Sequence, residues 1–112
     1  RTFGFKKDID HFYSLGLAQG GSLDNAVVLD DKVVLNPSGL RVKDEFVRHK
    51  ILDLLGDMAL IGNPLRGHII AHKSGHALHH KMIYSVMDKK DRWFLKNGRD
   101  IAYKPAHAAS AA

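Results

Sequence analysis

Apolar residues recur at helical spacing most clearly over 43–61, where Phe46, Val47, Ile51, Leu54, Leu55 and Met58 gather on one side of a helical wheel. That side is expected to face a core. Asp44 is a candidate cap, and Gly62-Asn63-Pro64 is a stop. On the same helix Glu45, His49, Asp53 and Asp57 follow one another at i, i+4 steps as a polar stripe away from the apolar side. Upstream, 2–5 reads as a short strand and 8–17 as a helix carrying Ile9, Phe12, Tyr13 and Leu17, with Asp8 as its N-cap. Strands follow at 25–29 and 33–35, separated by an Asp30-Asp31 turn and closed by the Asn36-Pro37-Ser38-Gly39 loop. Downstream, 68–72 reads as a strand, 76–86 as a second helix after Ser74-Gly75, and 93–95 as a last short strand. The pattern predicts an α/β fold: a two-layer sandwich of helices on a mixed sheet, with a small strand-helix-strand unit near the start.

A chain of 112 residues suffices for one modest domain. It has no cysteine, which excludes disulfides, cysteine-ligated zinc and thiol catalysis and fits a reducing, cytoplasmic setting. No apolar run approaches the roughly 20 residues that span a bilayer. The first residue is Arg1 and a strand pattern begins at once, so the sequence reads as part of a longer protein. The alanine-rich stretch 106–112 reads as a frayed end. The net charge is +5, but its Lys and Arg are scattered and not interleaved with aromatic residues. A small anionic ligand therefore fits better than nucleic acid.

Two constellations carry chemistry. An imidazole and a carboxylate four apart on a helix, His49 and Asp53, project the same way and can converge on one metal ion. Catalytic zinc takes three such ligands and leaves a position open. An ordinary surface ion pair explains the same spacing. In Lys73-Ser74-Gly75-His76 a glycine turn precedes a histidine able to give or take a proton near neutral pH; a helix-start histidine of no chemical consequence is the plainer alternative. Asp57 could hydrogen-bond His76. His72, His76 and His80 could be imagined as a metal cluster, but His79 and His80 point apart and His76 and His80 have no carboxylate partner on their helix, so these histidines read as solvated surface. Gly20-Gly21-Ser22-Leu23-Asp24-Asn25-Ala26 is too unlike a phosphate loop to imply nucleotide binding.

Taken in order, Arg1-Thr2-Phe3-Gly4-Phe5, the 20–26 turn, the 44–53 helix with Gly56-Asp57, and Lys73-Ser74-Gly75-His76-Ala77-Leu78 resemble the C-terminal part of the LpxC family, the UDP-3-O-acyl-N-acetylglucosamine deacetylases of lipid A biosynthesis. The likeness runs to about residue 90. It implies that residues 1–90 are a portion of one half of a two-domain, Zn2+-dependent hydrolase, with an insert at about 4–40 and a tail at 91–112. By the resemblance, His49 and Asp53 are zinc ligands, His76 protonates the departing amine, Asp57 supports it, and Thr2 helps hold the oxyanion. The third ligand, a His, and a general-base Glu are expected in an N-terminal domain of the same protein.

The resemblance further implies that Phe3, Phe5, Lys50 and Lys73 hold the sugar and diphosphate of a UDP-3-O-acyl-glucosamine-type substrate. Ile9, Phe12, Gly21, Ala26 and Val28 would wall a passage for its acyl chain. His79 departs from the family pattern, which commonly has Asn there. Two other readings compete with the enzyme: a sugar-nucleotide-binding fragment without hydrolysis, and a structural domain that binds no metal.

Overall fold

A computed structural model describes residues 1–98. The tail expected at 106–112 lies outside them. Strand β1 (Thr2–Phe5) runs directly into helix α1 (Lys6–Ser14), then come β2 (Ala26–Asp30) and β3 (Val33–Val34). Helix α2 (Glu45–Met58) leads into a 3-10 turn (Ala59–Ile61), and helix α3 (His76–Asp88) completes the order. The sheet has the order β1-β2-β3; β1 and β2 are parallel and β2 and β3 antiparallel, so it is mixed, as the pattern predicts. Parallel pairing requires a crossover, and α1 with the 15–25 loop provides it.

The register pairs Thr2 with Ala26, Phe3 with Val27, Gly4 with Val28 and Phe5 with Leu29. Because strand side chains alternate, Thr2, Gly4, Ala26 and Val28 share one face of the sheet, and Phe3, Phe5, Val27 and Leu29 share the other. Val27 is fully buried. Phe3 stands edge-on to Phe46 of α2, ring centroids 4.9 Å apart, which joins sheet to helix. Buried Asn36 serves as a side-chain extension of the sheet. Its Oδ1 accepts from Val28 N at 2.8 Å, and its Nδ2 donates to Leu23 O and Ala26 O at 2.7 and 2.8 Å.

Several expected boundaries move. Phe5, not Asp8, is the residue before α1; Asp8 sits in the first turn, where its charge favours the positive helix end. Asp44 does precede α2 but makes no capping bond, because its Oδ1 instead accepts from Arg48 Nε at 2.9 Å. The stop after α2 falls as expected, with Gly62 at φ +78°. Residues 68–72 and 93–95 form no strand. No neighbouring strand among the described residues offers them a ladder, and a strand without one leaves its amides unpaired. Ile70 is accordingly left exposed, while Trp93 is pinned by a bond from Nε1 to Val86 O, 2.9 Å.

The apolar side of α2 is also less covered than its pattern predicts. Met58 is buried, and Phe46 and Leu54 are half-buried, but Val47, Ile51 and Leu55 are exposed. Helical spacing aligns these side chains; it does not supply a surface opposite them. Among the described residues, α3, β1 and the 3-10 turn that follows α2 itself are what pack on this helix to any extent.

Candidate active site

Two consecutive turns of α2 present the chemistry. Glu45 leads the polar band but does not join the site: it is 4% exposed and locked to Arg1, whose Nε lies 2.8 Å from Oε1, while Arg41 N donates to Oε2 at 2.7 Å. Each i, i+4 step advances about 40° around a helix of 3.6 residues per turn. The band therefore winds from the Arg1 side at Glu45 to the α3 side at Asp57, with His49 and Asp53 between.

His49 Nε2 and Asp53 Oδ1 are 3.4 Å apart, and both side chains are largely shielded. Lys50 Nζ binds the other oxygen, Oδ2, at 2.7 Å, which fixes the carboxylate and leaves Oδ1 toward the imidazole. The hydrogen bond from Lys50 holds the Asp53 carboxyl below the usual range against the opposing effect of burial, helped by the charges of His49, Lys50 and His76. Two ligands each about 2.0–2.1 Å from a tetrahedral zinc stand about 3.3 Å apart. The pair fits two positions of such a site. Phe3 lies against it, its ring 5.8 Å from that of His49 and nearly perpendicular.

One turn on, Asp57 is buried and gathers three imidazoles from α3. His76 Nδ1 and His79 Nδ1 lie 2.7 and 2.6 Å from Oδ2, and His80 Nε2 lies 3.3 Å from Oδ1. Burial pushes the Asp57 carboxyl up, but the hydrogen bonds from His79 and His76, the His76 charge and the His80 bond outweigh it and hold it at about 2. Asp57, His76 and His79 offer atoms close enough together that the group could hold a metal ion. Their spacings, however, are those of charge-assisted hydrogen bonds and are too short for neighbouring ligands on zinc. We read this group as a carboxylate fixed by imidazoles, and the His49–Asp53 pair as the better fit to the metal.

The reading of His79 as solvated surface is therefore corrected: it is buried. His80 is exposed, as expected, but both reach a carboxylate, which comes from α2 and not from their own helix. No spacing within α3 could show that; the acidic end of the α2 band was the available signal.

The remaining candidates are spread more widely. Thr2 is exposed and lies on the sheet face opposite Phe3, its hydroxyl making no hydrogen bond among the described residues. Phe5 is part-exposed beneath Lys7 Nζ, 5.3 Å from its ring centre. Lys50 is engaged by Asp53, and Lys73 is exposed with φ +48° just before the Ser74-Gly75 turn. Ala26 and Val28 share a sheet face and are half-buried, as is Ile9 of α1; Phe12 is exposed. At Gly21 an added Cβ would stand 3.0 Å from Ala18 O, tighter than an ordinary contact, so the turn favours a glycine there. An open groove beside β3 includes Phe5 but none of the five residues expected to wall a passage.

The family model for UDP-3-O-acyl N-acetylglycosamine deacetylase, LpxC, matches residues 1–88. The chain belongs to the LpxC family. Among curated relatives, proteins named UDP-3-O-acyl-N-acetylglucosamine deacetylase share 58% identity over 87 residues in Myxococcus xanthus, covering 78% of this chain and 28% of that protein. The relative from Oleidesulfovibrio alaskensis is 49% identical over 112 residues, 100% of this chain and 37% of its own length. That from Nitratidesulfovibrio vulgaris is 65% identical over 78 residues, 70% of this chain and 25% of its own. This LpxC-family chain thus spans about a third of the length of the curated relatives it matches. Among the described residues, no helix is long and apolar enough to cross a membrane.

Proposed function

We propose that the protein is a zinc-dependent deacetylase that hydrolyses the N-acetyl group of UDP-3-O-acyl-N-acetylglucosamine in lipid A biosynthesis, in the cytoplasm. The observation that carries this reading is the order of side chains on α2: a His49–Asp53 pair at 3.4 Å, and one turn later an Asp57 carboxylate 2.7 Å from His76. On this reading the pair is the metal position and His76 the proton donor, one helical turn on. The names and identities of the relatives support the substrate.

His49 Nε2 and Asp53 Oδ1 would hold zinc together with a third ligand from the N-terminal domain that the family resemblance implies. When bound, zinc supplies Lewis-acid polarisation of the acetamide carbonyl. His76 gives up a proton while its Nδ1–H remains donated to Asp57, which is ionised at neutral pH. As water adds to the carbonyl carbon and the C–N bond breaks, the amine nitrogen takes the proton from His76 Nε2, releasing acetate and the free amine. A Glu of the N-terminal domain would take the proton from water; the family resemblance gives the Thr2 hydroxyl the oxyanion, which it would have to reach from the sheet face opposite Phe3.

Phe3 and Phe5 would flank the sugar, and Lys50 and Lys73 the diphosphate. Ile9, Phe12, Gly21, Ala26 and Val28, in the insert at about 4–40, would receive the acyl chain. In the full-length protein, H76A should lower kcat by roughly 100- to 10,000-fold, the range of a lost general acid. Its zinc content should match that of the wild type, since His76 is not a ligand. Unchanged turnover would remove His76 from the mechanism, and zinc loss would place it in the metal site.

A further inference from the structure

Of the three histidines around Asp57, His79 is the most enclosed: its side chain is 3% exposed, against 61% for His76 and 47% for His80. A buried imidazole needs partners at its ring nitrogens, and His79 has both. Nδ1 lies 2.6 Å from Asp57 Oδ2 and Nε2 lies 2.8 Å from Ser74 Oγ. An ionised carboxylate only accepts, so Nδ1 of His79 carries the hydrogen and donates it. The same oxygen, Oδ2, accepts from His76 Nδ1. His79 therefore grips from the buried side the oxygen that His76 grips from the solvent side.

His76 has few other restraints. Its ring meets those of His79 and His80 at centroid distances of 6.2 and 6.4 Å, and its only hydrogen bond among the described residues goes to Asp57. Which nitrogen of an imidazole carries hydrogen is set by the bond its other nitrogen makes. Rotation of the Asp57 carboxylate would release His76 Nδ1–H and let the ring change tautomer. Ser74, on the loop before α3, completes a chain Ser74–His79–Asp57–His76 that ties loop, α3 and α2 together.

We propose that His79 is a positioning residue: it locks the Asp57 carboxylate in the rotation that holds His76 Nδ1–H, so that the proton His76 gives to the amine is the one on Nε2 of its imidazolium form and the ring left behind is the Nδ1–H tautomer. The proposal rests on the proton-donor role assigned to His76.

Side-chain length gives a discriminating pair of variants for the full-length, zinc-loaded protein. The amide of Asn falls near the place of the imidazole Nδ1, and that of Gln near Nε2. H79N thus keeps a donor to Asp57 and drops Ser74; H79Q does the reverse; H79L drops both. With UDP-3-O-acyl-N-acetylglucosamine as substrate, H79N should keep most of kcat. H79Q and H79L should lose roughly 10- to 100-fold, the usual toll of removing a group that orients a functional side chain, with KM little changed. The 15N shifts of His76 should report the Nδ1–H tautomer in wild type and H79N and a shift toward Nε2–H in H79Q. Should H79L fail to fold, the Asn and Gln pair still decides.

Equal kcat in H79N and H79Q, with an unaltered His76 tautomer, would overturn the proposal and leave His79 as packing alone. Full turnover in H76A would instead remove the proton-donor assignment, while the tautomer comparison would still read the positioning directly.

Discussion

Asp57 concentrates more interaction than any other carboxylate of the site, and its burial alone would make it harder to ionise. Two imidazole hydrogen bonds to one oxygen and a weaker one to the other reverse that, holding it at about 2. An unfolded aspartate titrates near 3.9, so the folded pKa is the lower one. The stability that Asp57 lends is complete above about pH 4 and is lost as pH falls toward 2. Denaturant melts of full-length wild type and D57N should therefore show a wild-type advantage at pH 6 that shrinks through that window; a gap independent of pH would mean the carboxylate charge is not what matters. Helical spacing and a glycine turn are local signals that made His49, Asp53 and His76 candidates in the sequence, and the family resemblance gave them and Asp57 their expected roles. The environments of His79 and Glu45 could not be read that way. Each owes its burial to a partner far along the chain, Asp57 for the one and Arg1 for the other, and a stripe drawn at i, i+4 hides the winding that separates Glu45 from the rest.

The three helices and all three observed strands were legible from their periodicity, aided by the Gly62-Asn63-Pro64 stop after α2 and the Asn36-Pro37 loop after β3. The segments at 68–72 and 93–95 were misread for a common reason: β-branched or aromatic content favours a pleated surface, but a strand exists only where a partner completes its hydrogen bonds. Between β2 and β3 the decisive partner is a side chain. Asn36 sits in what reads as an ordinary Asn-Pro turn, yet it closes the amide of Val28 and the carbonyls of Leu23 and Ala26. N36A takes the partner from three backbone groups in part-buried bonds, and should cost about 1–3 kcal/mol of unfolding free energy, measurable as a lower denaturant midpoint with an unchanged slope. N36D, which keeps the acceptor for Val28 but loses both donors, should also destabilise. A neutral N36A would mean water replaces the side chain without penalty.

Amphipathic helices announce which side must be covered and leave open what covers it. Here Val27, Met58 and Ile83 are the buried apolar residues among those described, while Val47, Ile51, Leu55, Leu60 and Ile70 stand more than half exposed. Conformational entropy costs about 1–2 kcal/mol per ordered backbone residue, and so small a core offers little against it. The 112-residue polypeptide, made by itself, should therefore melt over a broad temperature range and bind a dye such as ANS that reports exposed apolar surface. The full-length protein should melt sharply and bind little dye, because the exposed side of α2 and the segment around Ile70 would then have partners. A sharp two-state transition without dye binding in the short polypeptide would show that the ion pair at Glu45, the Asn36 closure and the Asp57 cluster suffice to hold the fold. The site geometry on α2 would then be intrinsic to this stretch of chain, needing other residues only for chemistry.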